Sequence, residues 1–77
     1  MNCMTWPWIG ELAPPSEDHS YHLSEIDDLL EIAHQTDPFA KIITGKRTGT
    51  IICAHDWYTL FAVKMRANGN LRVLKQP

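Results

Sequence analysis

The stretch from Ser24 to Pro38 constrains the fold more than any other part of this 77-residue chain. Ser24-Glu25-Ile26-Asp27 places a hydroxyl at a helix N-cap and a carboxylate three residues on, resembling a capping box with Asp in the usual Glu position. Ile26, Leu29, Leu30 and Ala33 recur at three- and four-residue spacing and make one apolar stripe, while Glu25, Asp28 and Glu31 fall on the other side. Acids in the first turn also suit the positive end of the helix. Thr36-Asp37-Pro38 stops it, because the residue before a proline avoids the α region. A helix is therefore predicted from Ser24 to about Gln35.

Beyond Phe39 the texture becomes β-branched. Lys41 to Thr44 and Thr50 to Ala54 read as strands joined through Gly45-Lys46-Arg47-Thr48-Gly49, a hairpin tip with two bases between glycines. Trp57 to Arg66 admits two readings. As a strand it alternates, with Trp57, Thr59, Phe61, Val63 and Met65 on one face, and its aromatic and β-branched residues favour that form. As a helix it has Asp56 as N-cap, Lys64 and Arg66 in the last turn and Gly69 as a left-handed terminator. The strand is preferred here, with Asn68-Gly69 as a type I′ hairpin turn leading into a last strand from Leu71 to Lys75.

The first 22 residues contain Pro7, Pro14 and Pro15, each lacking a backbone donor, and read as an irregular arm. Trp6, Trp8 and Ile9 in that arm are costly to leave in water, so it either packs on the domain or anchors a partner. The expected fold is α+β: one amphipathic acidic helix packed on a three- to four-stranded antiparallel β-meander, with the arm at 1–22 and a single small domain at 23–77. A core of this size leaves roughly 3 to 5 kcal/mol of stability, so support from a staple, a metal or a partner chain is expected to help.

Charge is split along the chain. Met1 to Ala40 carries eight acids and no Lys or Arg, whereas Lys41 to Pro77 carries seven bases and one acid, so −8 and +6 underlie the net charge of −2. Either the halves neutralise each other on folding, or one sign remains available for recognition. Apolar runs such as Leu60 to Val63 stop far short of the about 20 residues a membrane helix needs. With no export signal in view, the expectation is a cytoplasmic protein whose Cys3 and Cys53 are reduced thiols.

Motifs for chemistry are weak. His19-x-x-His22 and Cys53-x-His55 supply zinc-competent ligands, yet not at the spacing of a structural knuckle, so no metal and no cofactor is expected. His55-Asp56 near Lys46, Arg47 or Arg66 is the one acid–base combination, but no nucleophile elbow, paired-carboxylate motif or phosphate loop accompanies it, and an enzyme is not expected.

The preferred function is a non-enzymatic protein-binding module. Its face would be Glu17, Asp18, Glu25, Asp28 and Glu31, with Trp6 and Trp8 as anchors, docking on a host protein with a basic surface. Small acidic inhibitors of nucleic-acid-handling complexes, of phage or mobile-element type and including some anti-CRISPR proteins, work this way, which is an analogy only. The alternatives are a small RNA- or DNA-binding module or toxin-like nuclease using a basic sheet with Lys46, Arg47, Lys64 and Arg66, or an obligate homodimer.

Overall fold

A computed structural model describes residues 5–13, 21–45 and 49–77. Its elements run β1 (Trp8–Leu12), α1 (Leu23–His34), β2 (Lys41–Gly45), β3 (Gly49–Ala54), α2 (Trp57–Arg66) and β4 (Leu71–Lys75). The sheet is antiparallel throughout, in the order β2-β3-β1-β4. Two split βαβ units interlock, the ferredoxin-like connectivity, and the class is α+β.

The expected meander is not what forms. Trp8–Leu12, read as part of an irregular arm, is a strand between β3 and β4. It pairs Ile9 with Cys53 and Leu12 with Thr50 on one side, and Leu12 with Leu71 on the other. Pro7 is compatible with this because it stands just before the strand and not inside the ladder. Along β1, Trp8, Gly10 and Leu12 turn toward the helices, and Leu12, Ile52, Ala54 and Leu71 meet Leu29, Ala33, Leu60 and Val63 in one buried cluster. Gly10 fits closely there: a Cβ would meet the Leu71 side chain at 3.0 Å and Ile52 at 3.4 Å, so Leu71 would have to give by a few tenths of an ångström.

Trp57–Arg66 is helix, not strand. Asp56 accepts from the Thr59 amide and hydroxyl, each at 2.9 Å, which caps the first turn. Thr59, Leu60, Val63 and Ala67 then fall on one side at helical spacing and are all buried. The strand alternation would have mixed Thr59 and Val63 with Trp57, Phe61 and Met65, and only a helix separates the two sets. Packing here overrides a β-type composition.

Asn68 and Gly69 do adopt positive φ, at 58° and 83°, but they end a helix instead of turning a hairpin. The Gly69 amide donates to the Lys64 carbonyl at 2.8 Å and the Asn68 amide to Met65 at 3.3 Å, a Schellman closure. α1 starts one residue before Ser24: the cap is His22, whose amide donates to the Glu25 carboxylate at 3.1 Å.

Candidate functional site

Two regions combine unusual chemistry with exposure. The first is the junction where the loop leaving α1 meets the turn between β3 and α2. Asp37, only 4% exposed, sits at its centre. One carboxylate oxygen accepts the Phe39 amide at 3.0 Å, and the other accepts the His55 amide at 2.8 Å and the His55 Nδ1 at 3.0 Å. Thr36 and Thr59 hydroxyls bond at 2.8 Å beside it. Burial pushes the Asp37 carboxyl up, but the two amides, the ring N–H and the charge of His55 outweigh it and hold the group below its ordinary value of 3.8.

An ionised Asp37 only accepts, so the His55 Nδ1 donates to it. The imidazole side chain is 53% exposed, with the Trp6 ring tilted against it at 4.5 Å and Phe39 edge-on at 6.3 Å. This orientation suits proton transfer. Among the described residues, however, every recorded bond of the pair runs between Asp37, Phe39 and His55, and none reaches a nucleophile. The junction holds the two loops together. Sequence reasoning paired His55 with the adjacent Asp56; the partner is Asp37, and Asp56 is occupied in capping α2.

The second region is the solvent face of α2. Trp57, Tyr58, Phe61 and Met65 are 45%, 68%, 44% and 63% exposed. The three rings are contiguous, with Trp57 4.9 Å from Phe61 and 6.0 Å from Tyr58, and Met65 follows Phe61 one turn on. Lys64 is exposed on the same helix, and the helix body carries no acid. The strand reading places Trp57, Phe61 and Met65 in the core, so it hides this surface.

The site residues expected from the sequence are scattered over the fold. Trp8 packs on the core, and Trp6 lies against His55. Asp28 accepts from the Arg66 guanidinium at 2.7 Å, so an expected acidic-face residue and an expected nucleic-acid contact neutralise each other. They border a cleft of about 250 Å³ with Tyr21 and Glu25. The Tyr21 phenol donates to the Ala13 carbonyl at 2.8 Å, and burial first, then the Glu25 charge, raise its pKa. Glu31 is exposed on α1. Lys64 and Arg66 lie on α2, so they do not form the basic sheet expected of them. Glu17, Asp18, Lys46, Arg47, His19 and Cys3 lie outside the described residues.

The charge halves fold onto each other at defined places. Glu11 pairs with Arg72 at 2.9 Å, Asp28 with Arg66 and Asp37 with His55, each joining the first half to the second. Cys53 is disulfide-bonded, which overturns the expectation of a reduced thiol there and removes it as a metal ligand. Among the described residues no three His, Cys, Asp or Glu side chains converge on a point where a metal ion could sit. No helix among them is long and apolar enough to cross a membrane. Comparison with known protein families, characterised proteins and solved structures finds no match.

Proposed function

We propose that this chain is a non-enzymatic protein-binding module that docks through the solvent face of α2. The observation that carries this reading is the exposed run Trp57, Tyr58, Phe61 and Met65 on a helix whose opposite face is already buried. Single apolar residues on a surface need no explanation, but a contiguous aromatic patch marks an interaction site. Trp and Tyr are also the side chains most often found at the energetic centre of an interface, and burying each large one gains about 1.5 to 3 kcal/mol.

A second reading keeps the acidic surface. Asp27 and Glu31 stand one turn apart on the outer side of α1, and both are exposed. They support docking on a basic host surface, including that of a nucleic-acid-handling complex in the cytoplasm. Once Asp28, Asp37, Glu11 and Asp56 are assigned to internal contacts, these two carry most of that reading among the described residues.

One experiment separates them. A photo-crosslinking amino acid replaces Phe61 in one variant and Glu31 in another, each expressed in the cells that make the protein. Adducts from position 61 and not from 31 are expected. Adducts from 31 alone transfer the function to α1, and an absence of adducts at 61 removes the α2 reading.

A further inference from the structure

We infer that a Cys3–Cys53 disulfide fastens a cover over the sheet face turned away from the helices, and that a dithiol reductant releases it. The device is separate from the α2 surface. Cys53 is disulfide-bonded, and Cys3 is the one other cysteine of the chain, so a bridge within one molecule runs between these two.

Strand alternation fixes the face. Ile52 and Ala54 of β3 belong to the cluster that meets α1 and α2, so Cys53 between them points the other way. Ile9, directly opposite Cys53 in the ladder, projects to the same side. Neither belongs to the cluster under the helices, yet Ile9 is 6% exposed and Cys53 0%. Ile43 and Ile51 oppose each other farther along the same side and are only half-buried. A sheet face without helices leaves its side chains partly in water, as it does these two isoleucines. The Ile9–Cys53 end therefore has a cover that neither helix provides.

The path of the chain supports the bridge. Trp6 and Pro7 bend immediately before β1, and the Trp6 ring lies 4.5 Å from that of His55, two residues beyond Cys53. Cys3 stands three residues before Trp6, a length that spans at most about 11 Å and brings the neighbourhood of Cys53 within reach.

Release is thiol–disulfide exchange. A thiolate of the dithiol attacks one sulfur of the bridge, the other cysteine leaves as thiolate and takes up a proton, and the second thiol of the reductant displaces the remaining cysteine. Two electrons pass to the chain, which ends with two thiols, and the dithiol ends as its own disulfide. Ile9, Cys53, Ile51 and Ile43 then form one uncovered apolar strip, of the kind that marks an interaction site.

The test uses the full chain. Digestion without reductant should yield a linked peptide pair containing Cys3 and Cys53 from protein with the intact mass of one chain, and a bridge between two molecules overturns the inference. The chain is next reduced with dithiothreitol, and labelling of Cys53 by iodoacetamide is timed by peptide mass against the same chain unfolded in urea. Release predicts a rate within about tenfold of the unfolded one while the helical circular dichroism is unchanged. Slower labelling overturns the inference, because the cover then stays in place without the bridge. Loss of the helical signal on reduction also overturns it, since the bridge would then be a staple of the whole fold. Cys3→Ser, with no reductant added, should label at Cys53 as fast as the reduced wild type, and protection of Cys53 in that variant overturns the inference as well.

Discussion

α1 and α2 lay their inner faces on the same core and show solvent opposite chemistry. α1 buries Leu29 and Ala33 and exposes Asp27, Glu31 and His34. α2 buries Thr59, Leu60 and Val63 and exposes Trp57, Tyr58, Phe61 and Met65. The first is an ordinary amphipathic surface helix; the second is apolar on both sides and polar only along its margins. That second apolar side is what supports the docking proposed for α2. Their starts differ too. α1 opens on an exposed His22–Glu25 arrangement, while α2 opens on Asp56 and is anchored through His55 to the buried Asp37.

The sharpest break of this contrast uses two neighbouring residues. Leu60→Ala should destabilise the chain by about 2 to 5 kcal/mol through lost burial and a residual cavity. Phe61→Ala, one position on, should cost less than about 1 kcal/mol at concentrations where the chain is monomeric. Urea denaturation of both decides it, and equal losses would mean that the ridge belongs to the core.

Next is the anchor between the helices. Asp37→Ala leaves the partly buried Phe39 and His55 amides without their acceptor and should cost about 1 to 3 kcal/mol. Because the folded carboxyl titrates below its ordinary value, its stabilisation is complete above pH 3.8 and is lost as pH falls through the lower folded value. Wild-type stability should therefore drop in that acid window, and the drop should shrink in Asp37→Ala.

Smaller still is the difference between the helix starts. Asp56→Ala should cost about 1 kcal/mol by removing the cap from the Thr59 amide, and Glu25→Ala less than about 0.5 kcal/mol, since its bond is exposed. Thermal melts compare them. Smallest is the outer face of α1, where Asp27→Ala and Glu31→Ala should each stay within about 0.5 kcal/mol of wild type. A larger change would show that those carboxylates have a partner within the fold.

What the sequence discloses here is mostly local. The α1 stripe and its stop at Pro38 are short-range signals, and the predicted 24–35 differs from Leu23–His34 only in its ends. The β2–β3 pairing was equally legible, from two β-branched bursts joined through glycines. Asn68-Gly69 disclosed positive φ without its use, because a hairpin and a Schellman closure ask the same of those residues. β1 escaped notice since Gly10 blunts its alternation and its burial depends on strands far along the chain. α2 was misread for a reason tied to its surface: with apolar residues on both sides, a 2-residue period fits nearly as well as a 3.6-residue one. The charge halves could be summed in advance, but that Asp37 would find His55, and Arg66 would find Asp28, is tertiary information. The disulfide at Cys53 was likewise unread, since the compartment argument favoured thiols.

The position of β1 between β3 and β4 has a kinetic corollary. β1 gains its second neighbour only when Leu71–Lys75 is available to pair, so the middle of the sheet is completed by a contact of long sequence separation. Pairings of such long sequence separation slow the search for the native state, and a nascent chain lacking β4 presents one side of β1 as an open edge. Docking of β4 against β1 is thus expected to be the slow, late step of folding.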